Sequence, residues 1–154
     1  MKRNVPVQPK APPEDPRSYR SREVAKIARV SLRQLQWWDE RRVITIRHVG
    51  HQRQYSTSDV LNVMVLAELR RKGLSLQTIR RSIRKIASRV EQIALDAQIG
   101  ERNGATYLAL SETGGLIALT DSPADAVKEM TDYTGPVVLV SVPSGVPELP
   151  KPKR

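Results

Sequence analysis

The chain has 154 residues, 39% of them hydrophobic and 4% aromatic, with no Cys, no Phe and a formal net charge of +10. That length suits one domain or two small units around a mostly aliphatic core, and the composition excludes disulfides, thiolate metal sites and a cysteine nucleophile. No apolar run is long enough to span a membrane, and Met1 to Asp15 lacks the apolar stretch of a signal peptide, so a cytoplasmic protein is expected.

The charge is unevenly spread. Residues 17–90 hold eighteen Lys or Arg against five acids, a balance of +13, whereas residues 91–147 hold two cations against eight acids, a balance of −6. A dense cationic segment most often meets a polyanion, and nucleic acid is the commonest one in the cytoplasm. Two opposite halves imply different partners for each.

Residues 1–16 carry five Pro with interspersed Lys, and residues 143–154 carry four more and end KPKR. Both read as disordered, an arm and a tail. After the arm, Ser21 precedes a short helix with Val24, Ala25, Ile27 and Ala28 on its apolar side. Ser31, with Gln34 three residues on, predicts a capping box and a second helix to about Arg41. Only ARV lies between them, which is the layout of a helix-turn-helix.

VITIRHVGHQRQY then places β-branched and alternating stretches around Gly50, predicting a β-hairpin. Ser56 and Asp59 form a capping box for a helix whose apolar residues, Val60, Val63, Met64, Leu66, Ala67 and Leu69, wrap one side. Gly73 is its expected stop. Ser75 caps a longer helix with Leu76, Ile79, Ile83, Ile86, Val90, Ile93 and Ala97 at alternating steps of three and four, a heptad seam. Gly100 and Asn103-Gly104 should end it. YLAL and LIALT around ETGG predict a hairpin, and Ser122-Pro123-Ala124-Asp125 starts a helix with Ala124, Val127 and Met130 on its apolar side. Gly135-Pro136 stops that helix, and VVLVSV is a strand apolar on both faces. The final order is β-β-α-β.

Four spaced motifs resemble the MerR family of transcription regulators: the helix entry at Tyr19 to Ala25, VSLRQLQWWD at Val30 to Asp39, RQYSTSDV at Arg53 to Val60, and LRRKGLSLQTIR at Leu69 to Arg80. The resemblance covers residues 19–85, just under half the chain, and together with the elements read beyond it the expectation is an α+β chain, mainly α with small β. A winged helix-turn-helix occupies 17–88, a helical dimerisation segment 89–103, and an acidic β-β-α-β unit 104–142. The resemblance further implies double-stranded DNA as partner; the heptad seam adds an expected homodimer, and a DNA-binding protein in the cytoplasm is expected at the nucleoid. Three positions depart from the family: Arg29 and Arg42 stand where it has turn glycines, and Gln36 where it has Arg before the aromatic pair. Either the turns take another geometry or Arg adopts the left-handed conformation there.

Trp37 and Trp38 are the only Trp in the chain. Leu35 and Trp38 share a helix face, so Trp38 is expected in the core, and Trp37, about 100° around the helix, against the DNA backbone. The plainer reading is that both are core. Ser31, Arg33 and Gln34 open the recognition helix and are the candidates for base edges, Arg33 equally for a phosphate. Arg47, His48, His51, Arg53 and Tyr55 surround the wing turn and are expected to position along the backbone. Arg20 and Lys72 complete the expected DNA-facing set. Val90, Ile93 and Ala97 have no evident partner within the chain and are expected at a dimer interface.

No metal site, cofactor or catalytic residue is expected: His48 and His51 are the only His, with no Cys or clustered carboxylate beside them. The C-terminal part has no His and no glycine-rich phosphate loop, which argues against an enzyme. Two other functions compete with a transcription regulator. One is an architectural or excisionase-like DNA protein. The other is an antitoxin-like repressor whose acidic unit grips a protein partner. An effector is a further candidate partner for that unit.

Overall fold

The computed structural model describes residues 18–98, 105–143 and 146–147. Helix α1 (Ser21–Ala28) and helix α2 (Leu32–Glu40) form the helix-turn-helix, followed by strands β1 (Arg47–Val49) and β2 (Gln52–Gln54). Helices α3 (Thr57–Arg71) and α4 (Leu76–Gln98) come next, then β3 (Thr106–Ser111), β4 (Leu116–Thr120), α5 (Pro123–Asp132) and β5 (Val137–Val142). The mixed α and β architecture agrees with the sequence reading. The proposed arm, residues 99–104 with the expected helix stop, and most of the tail lie outside the described residues. Within that tail, Val146 packs against the core.

Helix starts follow local chemistry. At α3 the capping box is complete: Asp59 N–H donates to Ser56 Oγ at 3.1 Å, and Ser56 N–H donates to Asp59 Oδ2 at 2.8 Å. Burial raises the Asp59 carboxyl above the ordinary Asp range, and the two Ser56 bonds oppose that shift. At α2 only half of the expected box forms, with Ser31 Oγ accepting from Gln34 N–H at 3.0 Å. At α5 the same half forms between Ser122 and Asp125, while Ser122 N–H donates to Thr120 Oγ1 instead.

Three helix ends share one geometry. Gly73 has φ of 92°, with Leu74 N–H reaching Leu69 O and Gly73 N–H reaching Arg70 O, a Schellman motif. Arg29 (φ 58°) and Arg42 (φ 55°) occupy the equivalent position after α1 and α2. There, Val30 N–H reaches Ala25 O and Val43 N–H reaches Trp38 O. Of the two expected alternatives, the second holds: both turns close as Schellman motifs with Arg in the left-handed conformation.

The sequence pattern gave α3 one apolar side, yet Leu61 and Val65 are buried as well. The reason is position: α3 packs on α1, α4 and β5 and is the central helix. The C-terminal sheet has strand order β4-β3-β5, all antiparallel. On one face, Thr106, Leu108 and Leu110 of β3 pair with Val142, Val140 and Val138 of β5, and Leu108, Leu110, Val140 and Val142 join the same core as the helices. Helix α5 lies against β4 and β3. It turns Ala126 inward and leaves Ala124 and Val127 exposed, correcting the expected apolar side, because α5 meets a sheet surface lined by small residues such as Ala109 and Ala118.

This folding back also corrects the expectation for the heptad seam. Val90 is 2% exposed and Ile93 0%, both in the core shared with the sheet. They do have a partner within the chain, so these two are not exposed to meet a second copy. The Ala97 side chain lies outside the described residues. The β3–β4 turn is docked on the helix as well: Ser82 Oγ donates to Gly114 O at 3.0 Å. A Cβ at Gly114 would stand 2.6 Å from Thr78 Cγ2 and 2.7 Å from Ser82 Oγ, so this approach requires glycine.

Candidate nucleic-acid interface

The recognition helix is fixed from behind. Leu35 and Trp38 are buried while Ser31, Leu32, Arg33, Gln34 and Trp37 remain exposed. The two Trp therefore divide as the helix geometry requires, with Trp37 39% exposed and Arg41 stacked over its ring at 5.4 Å. Ser31 spends its hydroxyl on the helix cap.

Gln34 stands in a groove of about 260 Å³ that it shares with Arg29, Arg70 and Arg71. Sequence reasoning missed these three cations, because they come from the turn after α1 and from α3 and the fold alone brings them to α2. Arg71 has a second task. Its Nη2 donates to Ala28 O at 2.6 Å and Arg29 O at 2.9 Å, and its Nη1 meets Glu68 at 2.6 Å. It thereby satisfies carbonyls at the end of α1 that the helix leaves unpaired and braces the turn.

The wing is a three-rung hairpin, Arg47↔Gln54, His48↔Arg53 and Val49↔Gln52. Gly50, at the first central position of its two-residue turn, has φ of 63°, as such turns require. Arg47 and His51 are exposed. His48 and Arg53 are not free: Asp39 at the end of α2 accepts from Arg53 Nε at 2.5 Å and bonds His48 Nε2 at 2.9 Å.

Tyr55 departs from expectation. It is fully buried and its backbone pairs with Tyr19 as an isolated antiparallel bridge, with N–H to O distances of 2.8 and 2.9 Å. Burial raises its phenol above the ordinary Tyr range. It anchors the hairpin base and cannot touch DNA. Arg20, exposed, lines a small groove with Val49, Gln52 and Arg53, so it lies beside the wing. Lys72 is exposed at the C-cap of α3, next in sequence to Arg71 of the groove beside α2.

Helix α2 thus carries both the exposed first turn and the Trp37–Arg41 pair, and its Asp39 holds the wing beside it. Among the described residues, no three His, Asp or Glu side chains converge to hold a metal ion, and no helix is long and apolar enough to cross a membrane. No curated protein matches the chain. Residues 19–86 match the family model described as MerR HTH family regulatory protein. With the geometry above, this segment is a MerR-family helix-turn-helix domain, the DNA-binding module of a transcription regulator.

Proposed function

We propose that the protein is a dimeric, sequence-specific transcription regulator in which α2 reads base edges in the major groove and the wing follows the adjacent backbone. The observation that carries this is the first turn of α2. Arg33 and Gln34 project into solvent while Leu35 and Trp38 bolt the opposite side of the helix to the core. Arg can address guanine and Gln adenine. Trp37, Arg41, Arg47 and His51 serve as backbone contacts.

The proposed dimer uses the C-terminal unit. One winged domain reads one half-site, and specificity usually comes from two-fold pairing. β5 is an edge strand, the face of the sheet away from the core leaves Leu139 exposed, and α5 of the same unit leaves Val127 exposed. A second copy meeting this surface would remove both from water and pair the open edge.

Binding to duplex DNA across a salt series tests the DNA reading. Affinity is expected to fall steeply with salt, as released counterions require, and a flat response would sink it. Arg33→Ala or Gln34→Ala is expected to narrow the gap between specific and random DNA by roughly 1–3 kcal/mol. Equal losses on both DNAs would reassign the residue to a phosphate.

A further inference from the structure

The hairpin has little to hold it in place. Each strand has three residues, all of β1 is exposed, and Val49 at its tip is 53% exposed. A two-stranded ribbon without a hydrophobic face is marginal by itself. Its base is pinned by the Tyr19–Tyr55 bridge. Toward the tip, the wing is tied to the recognition helix by Asp39, whose side chain is 10% exposed.

Asp39 is one of five acids in a segment with eighteen cations. By charge alone, an acid on the DNA-facing side weakens binding to a polyanion. Its geometry suggests why it is there. His48 and Arg53 are opposite each other on the same rung of the hairpin, and Asp39 Oδ2 bonds both. One carboxylate on the recognition helix therefore grips both strands of the wing at one level. The bond to Arg53 uses Nε, and the two Nη nitrogens have no protein partner among the described residues.

Building on the DNA-binding reading above, we propose that Asp39 is a positioning residue for DNA binding. It latches the wing to the recognition helix, sets their spacing, and holds the Arg53 guanidinium so that its Nη edge is available to a phosphate. Charge-assisted bonds of this kind are the stronger ones, and holding contacts ready before binding spares the ordering cost at encounter.

The sign of one measurement separates this role from simple electrostatics. If Asp39 only competes for Arg53, its removal frees a cation and deletes a negative charge, so DNA affinity rises. If it is a latch, affinity falls. The test uses the full chain as Asp39→Ala and Asp39→Asn, the second keeping the side-chain shape, with a mixed-sequence DNA duplex as probe. The expected result is a loss of roughly tenfold, within the coupling range of residues in one hydrogen-bonded network, and little further loss when Arg53→Ala is already present. Unchanged or higher affinity overturns the proposal. A second readout needs no DNA: backbone order parameters at Val49, Gly50, His51 and Gln52 are expected to drop below about 0.6 in Asp39→Asn, with α3 and α4 unaffected. If the unmodified protein binds no duplex even at low salt, the DNA-binding reading fails on its own. In that case unchanged wing order in Asp39→Asn overturns the latch, and loosened order upholds it as a wing-positioning contact.

Discussion

The two halves of the molecule expose large side chains in different company. In the helix-turn-helix half, Leu32, Trp37 and Val49 stand apart from one another among Arg and His residues. In the acidic half, Leu116, Val127, Tyr133 and Leu139 crowd into one small β-β-α-β unit with Glu112, Asp121, Asp125, Glu129 and Asp132. The first surface suits a hydrated, charge-driven and salt-sensitive contact. The second suits burial against protein. Yet the halves share one core through α3, α4, β3 and β5. Deleting the C-terminal unit would therefore strip Leu108, Leu110, Val140 and Val142 from that core and damage the DNA-binding half as well.

The comparison can be broken hardest at its most buried point. Trp38→Ala empties a fully packed site behind the recognition helix and is expected to cost about 3–5 kcal/mol. Trp37→Ala is expected to leave the melting temperature nearly unchanged and to reduce DNA affinity. Thermal melts of both variants check this, and equal destabilisation would return both rings to the core.

Much of this was legible beforehand, and the misses have physical causes. The Trp37/Trp38 division follows from helix geometry, and the capping box at Ser56 from the spacing of two residues. The heptad seam was real as an apolar stripe, but periodicity names no partner. Val90 and Ile93 lie in one core with α3 and with strands that come from residues beyond the helix. For α5, the apolar signal of Ala124 and Val127 was misleading because a helix lying on small residues needs only Ala126 inside. The Tyr19–Tyr55 bridge and the grip of Asp39 on Arg53 join residues 36 and 14 positions apart, which no local pattern reports.

The acidic half carries the next expected effect. Val127→Asp with Leu139→Asp places charges on the surface assigned to the second copy. It is expected to weaken the dimer by at most roughly 1.5–3 kcal/mol per side chain, less for groups already partly covered. Sedimentation at several concentrations reads this out, and circular dichroism confirms the fold. An unmodified protein that is monomeric at the concentrations where it saturates a single DNA site would end the dimer proposal.

The smallest expected effect lies where the two surfaces were built from the same turn. Arg29 and Arg42 both hold the left-handed conformation at a Schellman turn, which costs an L-residue roughly 1–2 kcal/mol. Glycine adopts it freely but loses more freedom on folding, so Arg29→Gly and Arg42→Gly are each expected to stabilise by only about 0.5–1 kcal/mol, read as a shift of denaturant midpoint at constant slope. Their effects on DNA binding are expected to differ. Arg29 lines the groove with Gln34, Arg70 and Arg71, whereas Arg42 lines a groove with Asp59, Arg80 and Arg84. Arg29→Gly is thus expected to weaken all duplexes alike and to reduce the salt slope by about one charge, while Arg42→Gly changes it less. Strain retained at a functional position and relieved at a cost in binding fits Arg29 as a phosphate contact. If Arg29→Gly instead destabilised the protein and left the salt slope alone, the guanidinium would be holding the turn together, and the cationic groove beside the recognition helix would rest on Arg70 and Arg71.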